Sequence, residues 1–287
     1  MLVSPLKGSN TALIGPAGTG KTFSLRSLAQ VEGLRPVVLF TENSADRISD
    51  LPSFKWATVM PSSGSFSELW DVAKLVNTSS FKQLAAYSEG VNKQNYQRFM
   101  DLLVMLNSFV DVRSKENLGP ADSWGPDTVL IIDGWSNINT MAMQLTVGAK
   151  PNPSEGEWGM AMQQCFNLML LLTTGLKCHL IMIAHIEPEL DPTTNLTVNM
   201  MSSLGRKLAP KLPKMFSDVI LARRVGNGTE YDWSNTDLSA QTKAGLLPPT
   251  PSMTPSFVPL FEAWKAKGGI FSPTYAEAEV KGEASAQ

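Results

Sequence analysis

Residues 11–24 read TALIGPAGTGKTFS, and this stretch predicts the architecture of the chain around it. Thr11–Ile14 is a short apolar run of the kind that forms a buried strand, and a helical pattern begins at Lys21. Between them, Gly15–Thr22 matches the pattern G-x-x-x-x-G-K followed by Ser or Thr. A glycine-rich loop that joins a buried strand to a helix presents backbone N–H groups to anions. The stretch therefore predicts a phosphate-binding site for a nucleotide.

The residue types of this loop each have an expected role at a nucleotide. Gly15, Gly18 and Gly20 allow the tight turn that aims successive N–H groups at phosphate oxygens. Lys21 is expected to contact the β- and γ-phosphates, and Thr22 is expected to be a ligand of Mg²⁺. The other predicted contacts in the loop are Pro16, Ala17 and Thr19. ATP is favoured over GTP as the cofactor, because the sequence has no N-K-x-D base-reading motif.

Further apolar runs alternate with helical patterns along the chain. Most are continuous rather than alternating, as expected for strands buried on both faces of a parallel sheet. The predicted strands after the first are Val37–Thr41, Trp56–Met60, Val129–Asp133, Leu180–Ala184 and Val219–Ala222. The helical patterns cover Lys21–Gln30, Ser65–Leu75, Phe99–Leu106 and Trp158–Thr173. Strands alternating with helices predict an α/β fold with a doubly wound, mainly parallel sheet flanked by helices.

The alternation of strand and helix patterns is interrupted in two places. Asn227-Gly228 is a hairpin signal, so a small antiparallel extension is expected near the carboxyl terminus. Residues 43–127 are more than one or two crossovers need, and the part around residues 78–127 is expected to be an insertion. Residues 1–265 are predicted to form one ATPase domain. Residues 266–287 are small, polar and acidic towards their end and are predicted to be a disordered tail.

Composition excludes several classes of protein. The net charge of −2 over 287 residues gives no global basic signature, so any nucleic-acid contact must come from a local patch. Two cysteines and two histidines lack the number and spacing of a disulfide framework or a zinc site. No apolar stretch reaches the ~18 residues of a membrane span, and no signal-peptide pattern opens the chain. We therefore expect a soluble, cytoplasmic protein without a membrane partner.

Two acids follow predicted strands. Asp133 ends an apolar strand, which suits an acid that holds Mg²⁺. Many ATP-hydrolysing proteins place a second acid directly after it to activate water, but here that position is Gly134. Glu42 follows the strand Val37–Thr41, and ligands of open parallel sheets bind outside the carboxyl ends of strands. If that strand lies beside Thr11–Ile14, Glu42 faces the γ-phosphate and can activate water. Position alone leaves open that Glu42 is an ordinary loop residue.

These features in this order resemble the RecA-like branch of P-loop ATPases, which includes RecA, the ring helicases and KaiC. The details are most similar to phage-encoded RecA-like AAA ATPases, whose members include single-strand-annealing recombinases. The resembling segments are WGPDTVLIIDGWSNINTMAM at 124–143, CHLIMIAHIEPELD at 178–191, SLGRKLAPKLPKMFSDVILA at 203–222 and TKAGLLP at 242–248. With the phosphate loop, they extend the resemblance over most of residues 8–265.

The resemblance implies roles for particular residues. Glu42 matches the base that activates water, and His185 matches the polar residue that senses the γ-phosphate. A histidine that merely ends a strand is the alternative for His185. Sites of this kind lie between subunits, so a ring or filament of identical chains is implied. Lys243 matches a lysine that one subunit offers to its neighbour's γ-phosphate. The further basic residue often found after it is absent here, since Ala244 follows.

The resemblance also implies contact with single-stranded DNA. By position, the segments 148–157 and 187–203 match the DNA-binding loops of RecA, and both are predicted to be irregular and mobile. Neither is notably basic, and Lys150 is the only cation of the first. The best basic cluster is Arg206, Lys207 and Lys211. It is interpreted as a neighbour-contacting finger or a clamp on the phosphate backbone, with a solvated surface as the alternative.

Three functions share this core. The first is an ATPase that acts on single-stranded DNA in phage recombination, replication or repair. The second is a ring motor, helicase-like protein or loader. The third is a KaiC-type nucleotide switch whose output is a protein contact without DNA. The weak charge of the two loops favours the third, whereas the segment-level resemblance favours the first.

Overall fold

The computed structural model of this chain describes residues 6–80, 82–83, 95–148, 150, 152–190, 195–205 and 207–273. Strands account for the centre of the molecule. In chain order they are β1 (Asn10–Ile14), β2 (Arg35–Phe40), β3 (Lys55–Thr58), β4 (Thr128–Asp133), β5 (His179–Ala184), β6 (Ile186–Leu190), β7 (Thr197–Met201), β8 (Asp218–Val225) and β9 (Glu230–Ser234). Each strand predicted from an apolar run is present, with bounds that differ by a few residues.

Seven of these strands form one sheet in the order β3-β2-β4-β5-β1-β8-β9. All neighbouring pairs are parallel except β8 and β9, which are antiparallel. This confirms the predicted α/β class, a mainly parallel RecA-like sheet with a small antiparallel extension. Because β1, β2, β4 and β5 run in the same direction, their carboxyl ends meet at one edge of the sheet, where ligands of such folds bind.

The strand β2 is not a neighbour of β1, although the expected position of Glu42 at the γ-phosphate assumed that these two strands are adjacent. Both β4 and β5 lie between them, and β2 pairs with β3 and β4. The register sets Phe40 opposite Asp133, so β2 and β4 end side by side. Glu42 therefore approaches the phosphate loop across the end of β4.

Six α-helices flank the sheet in the described residues. They are α1 (Lys21–Ser24), α2 (Phe66–Thr78), α3 (Arg98–Asn107), α4 (Trp135–Val147), α5 (Glu155–Leu170) and α6 (Val258–Ala266). Ser65 and Ser154 begin α2 and α5 with full capping boxes. The helix predicted over Lys21–Gln30 is α-helical only in its first turn. Leu25–Gln30 is a 3₁₀ helix, and the hydroxyls of Ser24 and Ser27 bond the carbonyls three residues earlier.

The core has two layers, one on each face of the sheet. Alternate residues of a strand point to opposite faces, so Leu130 and Ile132 pack with α3, α4 and α5. Val129 and Ile131 face the other side, where the 3₁₀ helix and α6 cover them. The sheet is thus buried on both sides, as the continuous apolar runs predict.

The predicted insertion at 78–127 contributes to this core where it is described. Phe99 and Leu102 of α3 are buried, and so is Phe109 in the segment that follows. These residues belong to the crossover from β3 to β4 and pack into the core on one face of the sheet. Residue 81 and residues 84–94 of the same segment lie outside the described residues.

The packed part of the chain extends past residue 265, where the predicted domain ends. Residue 266 is the last of α6, and Ser272 is 1% exposed. The backbone N–H groups of Gly125 and Asp127 donate to the carbonyls of Pro273 and Ser272. The rest of the predicted tail, residues 274–287, lies outside the described residues.

The segment 187–203 is more regular than predicted where it is described, and its residues 191–194 lie outside the described residues. Strands β6 and β7 pair antiparallel as a separate two-stranded sheet, with Ile186 opposite Met201. The sequence offered only a weak signal for this hairpin, because Pro188 interrupts β6 and its residues do not alternate between buried and exposed positions. In the described parts of the chain, no helix combines the length and the apolar character that a membrane crossing requires.

Candidate nucleotide site

The phosphate loop has the conformation that its sequence predicts. It leaves β1 and enters α1, and Gly18 and Gly20 have φ angles of 72° and 76° in the left-handed region. The ammonium of Lys21 folds back and donates to the carbonyls of Gly15, at 2.9 Å, and Pro16, at 2.7 Å. Burial lowers the pKa of Lys21 to about 8, although nearby Asp133 and Glu42 act to raise it. A lysine ammonium held against a glycine-rich loop between a strand and a helix is complementary to a polyphosphate.

Thr22 and Asp133 meet beside this loop. Asp133 is 1% exposed at the end of β4, and the hydroxyl of Thr22 donates to its Oδ2 at 2.8 Å. Ser44 donates to the same oxygen at 2.8 Å. Burial raises the pKa of the Asp133 carboxyl, and these two hydrogen bonds oppose that rise. A hydroxyl and a carboxylate next to a phosphate cradle form an oxygen donor set that fits Mg²⁺.

Glu42 and His185 lie together across the mouth of the site. The Nε2 atom of His185, directly after β5, is 3.4 Å from Oε1 of Glu42. The hydrogen bond from His185 holds the pKa of Glu42 below its usual value, with a smaller contribution from Lys21, while burial opposes the shift. Glu42 is therefore a carboxylate at neutral pH, the protonation state in which it can accept a proton from water.

Gly134 makes room for Glu42. A Cβ atom at this position would stand 2.6 Å from Cγ of Glu42 and 2.4 Å from Oγ1 of Thr41. Gly134 also has a φ of 112°, which side chains rarely tolerate. Its N–H donates to the carbonyl of Ile183 on β5, and its carbonyl accepts from the N–H of Asn137 in the first turn of α4.

These groups line one open cavity of about 630 Å³. Of the predicted site residues, the structure brings into it Ala17, Gly18, Thr19, Gly20, Lys21, Thr22, Glu42, Asp133 and His185. The sequence did not single out Phe23, Ser44, Arg47, Arg224 and Tyr231, which also line the cavity. Ser44 lies two residues after Glu42 and was within reach of sequence reasoning. Arg224 and Tyr231 come from the β8–β9 hairpin, and no local pattern connects them to the loop.

Other predicted residues lie away from the cavity. Lys243 pairs with Val219 near the start of β8, towards the opposite end of the sheet from the loop, and its ammonium donates to the carbonyl of Phe216. The ammonium of Lys150 contacts both carboxylate oxygens of Glu157, at 3.0 and 2.8 Å, and its side chain is 7% exposed. Lys150 therefore has its charge neutralised within the chain.

The basic cluster lies on the surface. Lys207 and Lys211 are exposed, and Lys211 belongs to the 3₁₀ helix Ala209–Met215. This helix packs against β7 of the small hairpin. Arg206, the third member of the cluster, lies outside the described residues.

The fold and the site define a class of protein. A phosphate loop follows β1, a Thr–Asp pair suited to Mg²⁺ lies beside it, and β5 separates β1 from the strand that ends in Asp133. This arrangement is that of a nucleotide-hydrolysing P-loop ATPase.

The comparisons with known proteins agree with this class. A family model described as an AAA domain matches residues 7–238, and the chain belongs to that family. The match confirms the AAA-type part of the resemblance noted in the sequence. Among curated proteins, none matches the sequence.

Proposed function

We propose that this protein is a Mg²⁺-dependent ATPase that acts on single-stranded DNA in phage-type recombination, replication or repair. The observation that carries the ATPase part is the convergence of Lys21, Asp133 and Glu42 at one sheet edge, although they come from three elements. The resemblance to phage-encoded recombinases supports the DNA part.

The residues of the site divide the work of hydrolysis. The N–H groups of the loop and the ammonium of Lys21 hold the triphosphate. Thr22 and Asp133 hold Mg²⁺, which supplies positive charge against the phosphate oxygens. Glu42 accepts a proton from the attacking water as the new oxygen–phosphorus bond forms. The bond between the γ-phosphorus and the bridging oxygen breaks, and ADP leaves with the electron pair.

His185 positions the base in this account. Its contact with Glu42 keeps the carboxylate ionised and aimed at the cavity. Because the same imidazole lines the cavity, it is within reach of the terminal phosphate as well. His185 thus has the position to report the γ-phosphate to the base.

The DNA contact is assigned to Lys207 and Lys211 rather than to the two predicted loops. Lys150 is paired with Glu157, and β6 carries Glu187 and Glu189. The exposed lysines beside β7 are better placed to meet a phosphate backbone.

A second candidate function is a nucleotide switch whose output is a protein contact. The neutralised Lys150 and the acidic face of β6 favour it, since a surface of this kind repels nucleic acid. A ring motor has no separate feature in its favour.

One experiment separates these functions. ATP turnover is measured with and without single-stranded DNA, and with Mg²⁺ or with EDTA, while the assembly is observed by electron microscopy. The proposal predicts turnover that needs Mg²⁺ and rises with DNA, together with rings or filaments on the DNA. Turnover that ignores DNA supports the switch, and DNA-dependent strand separation supports a motor.

Two variants sharpen this experiment. Changing Lys207 and Lys211 together to alanine is expected to abolish most of the stimulation by DNA and to leave basal turnover intact. Changing Lys74 and Lys82 together to alanine is the matched control, because it also removes two positive charges, from exposed positions in and just after α2. Equal loss of stimulation in both proteins contradicts the assignment of the DNA contact.

A further inference from the structure

The β8–β9 hairpin places an arginine and a tyrosine directly against the phosphate loop. Arg224 and Tyr231 face each other across the hairpin, so their side chains share one face. The Nε atom of Arg224 donates to the carbonyl of Gly18 at 2.8 Å. A Cβ atom on Gly20 would stand 3.5 Å from the ring of Tyr231, so the ring lies in van der Waals reach of the loop.

The hairpin is braced from its other face. Arg223 points away from the loop, because successive residues of a strand alternate. Its Nε atom donates to Asp232 at 2.9 Å, and the guanidinium also contacts Asp237 and the carbonyl of Pro251. These contacts fix the hairpin to the carboxyl-terminal segment and so fix the position of Arg224 and Tyr231 over the loop.

Tyr231 is packed on one side and open on the other. The Tyr231 ring lies against Gly20 and the guanidinium of Arg224, whose Cζ is 5.8 Å from the ring centroid. Even so, 48% of Tyr231 is exposed, and the residue lines the cavity together with Phe23. An aromatic ring held at the rim of a phosphate cradle offers a planar surface to the base of a nucleotide.

We propose that Tyr231 is the platform on which the nucleobase stacks, and that Arg224 holds it there through Gly18. This inference rests on the ATP site of the proposed function and deepens it. Stacking reads the flat face of a base rather than its edge. The stacking contact by itself therefore gives little discrimination between the purine nucleoside triphosphates.

The test compares ATP with inorganic tripolyphosphate, which has the phosphates but neither base nor ribose. Affinities of both are measured by calorimetry for the wild-type protein, Tyr231→Ala and Tyr231→Phe. Loss of one stacked base is expected to weaken ATP binding about tenfold in Tyr231→Ala. Tripolyphosphate binding is expected to stay within about twofold of wild type, and Tyr231→Phe is expected to restore ATP binding because it restores the ring.

Two further variants make the result decisive. Phe23→Ala removes the other exposed ring of the cavity, and Trp70→Ala removes an exposed ring on α2 away from it. The proposal is overturned if Tyr231→Ala binds ATP normally, or if it loses ATP and tripolyphosphate equally. It is also overturned if Phe23→Ala alone shows the ATP-selective loss. A wild-type protein that binds neither probe contradicts the proposed function itself.

Discussion

At the scale of single residues, Gly134 and Glu42 are two halves of one arrangement. The acid that many ATPases carry directly after their metal-binding Asp is absent at Gly134, and the side chain of Glu42, two residues after β2, lies against this position. Any side chain at position 134 would collide with Glu42. The glycine at position 134 and the acid at position 42 therefore depend on each other.

This dependence predicts the effect of Gly134→Ala. The new Cβ has to displace Glu42 or Thr41, and the alanine has to keep a φ angle that side chains rarely tolerate. We therefore expect turnover to fall at least about tenfold and the free energy of unfolding to drop by about 1–3 kcal/mol. Affinity for ATP should change little, because the phosphate loop is untouched. The measurements are steady-state turnover, ATP affinity and urea denaturation.

Gly156→Ala is the matched control for that substitution. A Cβ at Gly156, in the first turn of α5, meets nothing within 4 Å, so the same chemical change should be neutral or slightly stabilising. Normal turnover in both variants would show that Glu42 does not need the space beside Gly134.

Site residues that lie close together in the sequence could be predicted, whereas those brought in from distant segments could not. Lys21 and Thr22 belong to a contiguous motif, and Asp133 ends an apolar run, so their types and positions are readable locally. Arg224 reaches Gly18 from 206 positions away, a contact that only the folded sheet creates. The same holds for Tyr231, because the register of the β8–β9 hairpin sets Tyr231 opposite Arg224.

At the scale of elements, strand existence was predictable and strand adjacency was not. An apolar run identifies a buried strand but does not say which strands lie beside it. Placing β2 next to β4 rather than β1 sets Phe40 opposite Asp133 and brings Glu42 to the side of Asp133. The hairpin of β6 and β7 was missed because the segment is rich in Pro, Asn and Thr, and Pro188 interrupts the apolar pattern of β6.

The element β5 also ties the amino-terminal segment to α6 through His179, and this contact predicts a pH dependence. The N–H of Ser9 donates to Nδ1 of His179, and the ring centroid is 4.8 and 4.5 Å from those of Phe261 and Trp264. Burial lowers the pKa of His179 to about 3. Between this value and the ordinary value of about 6.5, the unfolded chain binds one proton more than the folded chain. The free energy of unfolding therefore falls as the pH drops below about 6.5.

His179→Gln tests this dependence. From about pH 6.5 to about pH 5.5, wild type should lose about 1 kcal/mol more than the variant in urea denaturation, because only wild type has the buried imidazole. Comparing the two proteins cancels the titration of all other groups. Identical pH slopes would mean that His179 is not held neutral in the fold.

At the scale of the whole molecule, the position of Lys243 bears on assembly. Its side chain lies towards the amino end of β8, away from the cavity of its own chain. A role at the terminal phosphate therefore requires a second copy of the protein, with the site formed between subunits.

Mixing experiments test that role. If Lys243 acts on a neighbour's site, adding Lys243→Ala protein to wild type should reduce activity more steeply than the fraction of variant, since each altered subunit also disables its neighbour. Lys267→Ala is the control, because Lys267 contacts the carbonyl of Gly245 in the same region. A strictly proportional decrease would contradict action across an interface.

Glu42, two residues after β2, is proposed as the carboxylate that activates water, and Glu42→Gln tests this role. The measurement is the rate of ATP hydrolysis by the purified variant at saturating ATP, with ATP affinity measured on the same sample and Glu32→Gln on the exposed surface as control. The amide keeps the shape of the side chain but accepts no proton, so we predict affinity near that of wild type and turnover reduced by at least about 100-fold. Near-normal hydrolysis by Glu42→Gln would contradict the role of Glu42 as the base that activates water.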